Sequence, residues 1–406
     1  MEISRIILIF TAMLLLASAA YPVSARFRIP FSALLLLIGY LSGVVIGLFG
    51  IDSGLRWHHF KDIVFNVFLP VLIFESALNI NIRLLVRNLT PILLLAIPAL
   101  LLTTLITASI LYFSIDHSAF PWVAALICGV LLSATDPVAV LDMFKQFNIN
   151  PRLTVVMEGE SLFNDAIAIV LFSLLLAIAL EPGQQLSWHT PILQFLYVMF
   201  GGAVVGIIAG LLVILANRWV TDPMVFTGIT LGFAYLTFLG AKEWLHVSGI
   251  VAVLGYGLCL GWETRKHPEE NRFPLLLSIW QFFAFMANAF VFLLVGFTFT
   301  LSMFTDMWLA MLFGILAVLL ARAIGIYTSL PFIGRIPGVE PLNRQQHFII
   351  YWGGLRGAVA IALALSLPLE LDSWYTIQSI TYGVVFFSVF VQAPLLHPVL
   401  QKLKSL

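Results

Sequence analysis

The stretch Leu131-Leu132-Ser133-Ala134-Thr135-Asp136-Pro137-Val138-Ala139-Val140 places an acid and a proline in the middle of an apolar run covering residues 121–144. Proline lacks a backbone N–H and disfavours helix at the residue before it, so the run is expected to unwind at Thr135–Asp136. Unwinding frees backbone carbonyls, which are good ligands for a hard cation. It also creates a helix N-terminus whose partial positive charge Asp136 can offset. An ordinary proline kink capped by Asp136 would read the same way, and the rest of the chain has to decide between the two.

The rest of the chain is that of a membrane protein. Of its 406 residues, 61% are hydrophobic and 10% charged, with a mean hydropathy of +1.05. A soluble domain carries about 25% charged residues, so too few polar side chains remain here to cover a water-facing surface. Thirteen apolar segments are expected as spanning helices: 6–22, 30–50, 63–80, 91–115, 121–144, 153–180, 192–216, 223–241, 246–262, 273–300, 306–330, 346–368 and 374–400. The fold class is therefore all-α and polytopic. The net charge of zero gives no reason to expect a nucleic-acid partner. Cys128 and Cys259 both lie inside apolar runs, away from any second cysteine, and read as small buried hydrophobes.

Orientation follows from Lys and Arg. With the N-terminus outside, the cytoplasmic side receives Arg26, Arg28, Arg83, Arg87, Lys145, Arg152, Arg218, Arg265, Lys266, Arg272, Arg335, Arg344, Lys402 and Lys404. The outer side receives only Arg5, Arg56, Lys61 and Lys242. His58 and His59 are adjacent in a loop and face apart, so they are not expected to chelate.

The twelfth segment is also interrupted, by Gly353-Gly354 and Gly357, seven segments after the first interruption. An odd offset implies opposite orientation, and matched broken helices in inverted halves point to the binding site of a transporter. Ionisable residues at membrane depth are expensive and need a reason. Here they are Glu75, Asp136, Glu160, Asp165, Arg322 and Arg356. In the sixth segment Glu160 and Asn164 are one turn apart, as are Ser161 and Asp165, and all four share one helical face. They form an oxygen cage suited to a small dehydrated cation, in which Asp165 holds a proton or a cation but not both. Arg356 needs an acidic partner, with Glu160 and Asp136 as candidates, while Glu75 and Arg322 read as structural ion pairs or polar contacts. Gly39, Gly43 and Gly47, like Gly202, Gly206 and Gly210, follow the small-xxx-small spacing of close helix packing, at a dimer contact or within the bundle.

The strings Ala134-Thr135-Asp136-Pro137, Glu160-Ser161-Leu162-Phe163-Asn164-Asp165 and Gly353-Gly354-Leu355-Arg356-Gly357 resemble those of the monovalent cation/proton antiporters, in their NhaP-type and animal sodium/proton exchanger branch. Phe74-Glu75-Ser76-Ala77-Leu78, Ala321-Arg322 and the stretch from Trp280 to Gly296 fit as well. The resemblance implies an NhaA-like fold of thirteen helices with two inverted six-helix repeats and breaks in helices 5 and 12. It implies a homodimer in which residues 1–80 and 223–300 form the scaffold, 91–180 and 306–400 the mobile core, and 192–216 a linker helix. It implies cation ligands from Asp165, Ser161 and the Thr135 backbone, with Glu160 and Asp136 close by, Arg356 positioning Glu160, and Pro137 shaping the break. Members with an Asn-Asp pair such as Asn164-Asp165 typically exchange one cation for one proton.

The expected activity is thus exchange of Na⁺, with Li⁺ as a further cargo or K⁺ as an alternative, for H⁺ across the cell membrane, without a cofactor. A passive cation channel has no need of a titrating carboxylate. An intramembrane protease would need a histidine beside Ser161 or a second aspartyl motif, and the sequence offers neither at membrane depth.

Overall fold

The computed structural model of the chain describes residues 3–27, 29–48, 63–115, 120–147, 149–180, 189–267, 272–333 and 340–404, and every regular element among them is helical. In chain order these are α1 (Ile3–Phe27), α2 (Phe31–Leu48), α3 (Leu69–Asn79), α4 (Ile82–Arg87), α5 (Leu89–Leu94), α6 (Leu100–Ser114), α7 (Trp122–Ser133), α8 (Val138–Phe147) and α9 (Pro151–Leu180). There follow α10 (His189–Ala216), α11 (Pro223–Leu239), α12 (Gly249–Lys266), α13 (Arg272–Thr298), α14 (Leu301–Ile333), α15 (Arg344–Trp352), α16 (Ala358–Leu365), α17 (Trp374–Phe387) and α18 (Ala393–Lys404). Single π-helical turns at Val64–Phe68, Leu95–Ala99, Gly240–Trp244 and Ser388–Gln392 join or extend neighbouring helices. Arg28, Arg56, His58, His59, Lys61 and Arg335 lie outside the described residues.

Among the described residues, 10 helices are long and apolar enough to cross a membrane. The thirteen apolar runs therefore do not appear as thirteen long, uninterrupted apolar helices. Val64–Asn79 is shorter than the rest, α12 ends in the charged residues Glu263, Arg265 and Lys266, and residues 344–365 are split into α15 and α16.

Local chemistry sets several helix starts. Asp222 caps α11 by accepting from the N–H groups of Met224 and Val225 at 2.8 and 2.9 Å, with Pro223 in the first turn. Asn343 opens α15 with a capping box closed by Gln346.

The helices pack in two groups. In one, α12 lies against α10 and α3, and α13 lies against α2, α3 and α11. In the other, α14 lies between α6 and α17, α7 packs on α6 and α9, and α16 packs on α17. Lipid chains are as apolar as leucine, so packing density and small residues, rather than exclusion of water, hold such helices together. Gly39 and Gly43 of α2 face Leu293, Gly296 and Phe297 of α13, while Gly202, Gly206 and Gly210 of α10 face Ser248, Ala252 and Cys259 of α12. A Cβ at Gly202 would lie 2.6 Å from the Ser248 carbonyl oxygen, so only glycine admits this approach. These glycines serve contacts inside the bundle, whereas a Cβ on Gly47 would meet nothing within 4 Å among the described residues.

Candidate functional site

Two interruptions meet inside the second group. One is the non-helical stretch 134–137 between α7 and α8, and the other is 353–357 between α15 and α16. The first falls where Pro137 predicted it. Each interruption supplies what the other lacks. The Asp136 N–H donates to the Leu355 carbonyl at 2.8 Å. The Asp136 carboxylate accepts from the Val138 N–H through Oδ1 at 3.0 Å and from the Ala358 N–H through Oδ2 at 3.3 Å. One acid thus sits at the N-terminal ends of both α8 and α16, where the helix dipoles favour negative charge. A Cβ on Gly357 would overlap the Asp136 carboxylate, so this convergence requires glycine.

The opposite ends are served by Arg356. Its Nε donates to the Leu132 carbonyl, at the C-terminal end of α7, at 2.7 Å. Its Nη1 donates to the Gly354 carbonyl beside the C-terminal end of α15. Terminal helix carbonyls have no partner within the helix and need one, and in an apolar bundle a fixed cation supplies it. Arg356 is 2% exposed.

The face of α9 closes over the first interruption. Ser161 Oγ donates to the Thr135 carbonyl. Asn164 Nδ2 donates to Thr135 Oγ1 at 3.3 Å and to Glu160 Oε1 at 3.4 Å. Glu160 Oε1 also accepts from Arg322 Nη1 at 2.5 Å, with side chains 2% and 7% exposed. Arg322 Nη2 donates to the Ile350 carbonyl at 3.1 Å.

This arrangement corrects one expectation and gives a partner to another residue. Arg356 makes no ion pair with Glu160 or Asp136, because its guanidinium is directed at the carbonyls that the helix breaks leave free. Arg322, read from sequence as part of a structural ion pair, does form one, and its acid is Glu160. Glu75 is not its partner, since Glu75 Oε1 accepts from Asn79 Nδ2 at 2.6 Å on α3. The sequence flagged Arg322 as a charge at membrane depth that needs a polar partner, without naming the acid. What lets it reach Glu160 is Gly354, where a Cβ would meet Arg322 Nε at 2.7 Å.

The structure therefore gathers Thr135, Asp136, Pro137, Glu160, Ser161, Asn164, Asp165 and Arg356 at one place, with Arg322 added. Glu160 is neutralised by Arg322, and Asp136 is held by two helix N-termini. Asp165 differs, because its Oδ1 is buried and has no hydrogen-bond partner. An unpaired anionic oxygen in an apolar setting demands a cation or a proton. The Oδ1 of Asn164 is buried without a partner as well.

The chain as a whole is similar to known sodium/proton antiporters. The family model described as "Sodium/hydrogen exchanger, transmembrane" matches residues 11–402. The Na(+)/H(+) antiporter ApNhaP of Aphanothece halophytica is 38% identical over 384 residues, covering 94% of this chain and 71% of that protein. The Na(+)/H(+) antiporter NhaH of Halobacillus aidingensis is 32% identical over 351 residues, covering 85% of this chain and 84% of its own. Among solved structures, the sodium proton antiporter MjNhaP1 of Methanocaldococcus jannaschii superposes with a TM-score of 0.79 at 24% identity, over 97% of this chain and 100% of that one.

Proposed function

The chain belongs to the sodium/hydrogen exchanger, transmembrane family, and from that premise we propose that it is a secondary antiporter in which Na⁺ and H⁺ compete for Asp165. The observation that carries this reading is the uncompensated Asp165 oxygen beside two acids whose charges are already matched. Na⁺ is cargo here, taken up by Asp165 with the Ser161 hydroxyl and the Thr135 carbonyl. The Ser161 proton points at that carbonyl, and both oxygens keep lone pairs for an ion. Asp136, Glu160 and Asn164 border the site, Arg322 and Arg356 hold its frame, and Glu75 has a structural role on α3.

Coupling needs no further device. An empty anionic site is too costly to carry through an apolar barrier, so only the Na⁺-bound or protonated form crosses. The charges at the depth of the breaks support a one-for-one stoichiometry. Asp136, Glu160 and Asp165 are opposed by Arg322 and Arg356, which leaves one negative charge for one cation or one proton to cancel. Both halves of the cycle then move no net charge, and exchange is electroneutral, one for one, with Li⁺ as a further cargo.

The packing into two groups supports a division of labour. Residues 1–80 and 223–300 act as scaffold, 91–180 and 306–400 move as the transport core, and 192–216 links them. The opposed broken helices support two inverted repeats within thirteen spanning segments. The excess of Lys and Arg on one set of loops supports an N-terminus outside the cell membrane and a cytoplasmic C-terminus. The assembly read from the family pattern is a homodimer.

Purified protein in proteoliposomes tests the reading. An imposed Na⁺ gradient is expected to drive proton movement in the wild type, and Asp165→Asn is expected to abolish it. Proton movement that survives Asp165→Asn rules the assignment out. Running Na⁺, Li⁺ and K⁺ in the same vesicles fixes the cargo.

A further inference from the structure

Apart from the helix breaks, a second polar assembly lies between α17 and α13. Tyr382 on α17 is 0% exposed. Its hydroxyl meets the Thr298 hydroxyl at the end of α13 at 3.2 Å and accepts from Gln378 Nε2 at 3.2 Å. Thr298 Oγ1 donates its own proton to the Val295 carbonyl at 3.1 Å. The directions are thereby fixed: Gln378 donates to Tyr382, Tyr382 to Thr298, and Thr298 to the backbone of α13. One hydrogen-bond chain ties α17, in the second helix group, to α13, in the first.

The place of this chain in the bundle matters. α13 begins at Arg272, close after Arg265 and Lys266, and ends at Thr298. The Lys and Arg bias puts its beginning in the cytoplasm and Thr298 at the outer end. α17 starts after the connection that leaves α16, on that same outer side. Aromatic rings surround the link. Phe299 lies 6.4 Å from Tyr382, 4.9 Å from Phe386, 4.9 Å from Phe304 and 5.7 Å from Tyr40, ring centre to ring centre. Among the described residues, this outer part of the seam between the two groups joins these aromatic rings to the polar link. Two polar atoms on the same helix, Gln378 Oε1 and Ser379 Oγ, are buried with no partner. Buried polar atoms without partners are costly, and water entering an opened seam would satisfy them.

We propose that the Gln378–Tyr382–Thr298 chain is the outer gate latch of the transport cycle, joining core to scaffold while the outer path is closed and breaking when the core moves. This rests on the antiport reading above and adds to it the residues that set which face of the membrane the site prefers. Removing the latch weakens only the outer-closed state, so it shifts the balance between the two states. Apparent affinity at each face scales with the fraction of protein open to that face.

The test is Na⁺-dependent proton flux in right-side-out and everted membrane vesicles, comparing wild type with Tyr382→Phe and Thr298→Val. Both variants keep the packing volume and remove the link. The ratio of half-saturating Na⁺ at the outer face to that at the inner face is expected to fall about three- to tenfold, the scale of one net hydrogen bond. The double variant is expected to show no more than either single, because both remove the same bond. A merely structural role would lower the amount of protein or the maximal rate and leave the ratio alone. An unchanged ratio in both variants, or additive effects in the double, overturns the latch while leaving antiport standing. Absence of Na⁺-dependent proton flux in the wild type overturns the antiport reading and the latch with it.

Discussion

Glu160 and Arg322 meet at 2.5 Å in a part of the bundle where neither side chain is more than 7% exposed. Breaking such a pair from one side leaves a buried charge without its partner, which costs about 3–5 kcal/mol. Arg322→Leu is therefore expected to lower the thermal unfolding temperature strongly in detergent. Combining Glu160→Gln with Arg322→Met is expected to lower it less than Arg322→Leu alone, and a larger drop in the double would contradict the pairing. Gly354→Ala should act in the same direction as Arg322→Leu, because its Cβ would occupy the place of the guanidinium at 2.7 Å from Nε. At this scale the sequence named the charged residues and a structural ion pair for Arg322, but not its acid, and expected for Arg356 an acid that it does not pair with. Arg322 and Glu160 are 162 positions apart, and a guanidinium on a long side chain reaches whichever acid the packing puts nearby. The four polar residues on the α9 face were legible because one turn of helix fixes their direction without tertiary contacts.

The half-helices α7, α8, α15 and α16 are held by their ends as much as by their sides. Asp136 serves the N-termini of α8 and α16, and Arg356 the C-terminal ends around Leu132 and Gly354. A charge at a helix end contributes about 0.3–1 kcal/mol when exposed and up to about 2 kcal/mol when partly buried. Asp136→Ala removes the acceptor from two ends at once, and it is expected to slow exchange by about ten- to a hundredfold. Asp136→Asn keeps one acceptor oxygen and should lose less, as Na⁺-driven proton flux per molecule would report. A further clamp comes from the π-helical turn. Gln392 Nε2 donates to the Trp352 carbonyl at 2.7 Å, while the Trp352 indole N–H donates to the Gln392 carbonyl at 3.0 Å. Gln392→Leu would leave the Trp352 carbonyl, at the last turn of α15, without its side-chain partner, a loss of about 1–3 kcal/mol that thermal unfolding should register. The position of both breaks was readable, because proline and paired glycines act on the backbone directly. That the two breaks exchange hydrogen bonds was not readable, since no local rule says which segments cross.

For the whole molecule, the competition proposed at Asp165 has consequences for pH and for voltage. Each proton that occupies the site must be displaced by Na⁺, so half-saturating Na⁺ is expected to rise as pH falls, by at most about tenfold per pH unit for two ligands that exclude each other. The maximal rate should fall at high pH, where the return step lacks protons. With one negative charge left over at the depth of the breaks, exchange is also expected to be unchanged when the membrane potential is clamped at different values in proteoliposomes. A strong dependence on potential would show that a second charge moves. Asn164→Asp, which adds an acid one turn from Glu160, is the variant expected to introduce such a dependence. The sequence alone determined the membrane setting, the two unwound stretches, and the acid-bearing face of α9, because composition, proline and glycine chemistry and helical period act over a few residues. Only the tertiary structure decided that Arg322 neutralises Glu160, that Arg356 tends carbonyls, and that Asp165 is left with an unmatched oxygen. Those outcomes depend on which helices cross and at what depth, and charges and hydrogen-bonding groups in an apolar bundle pair with what lies within a few ångströms, however far away it is along the chain.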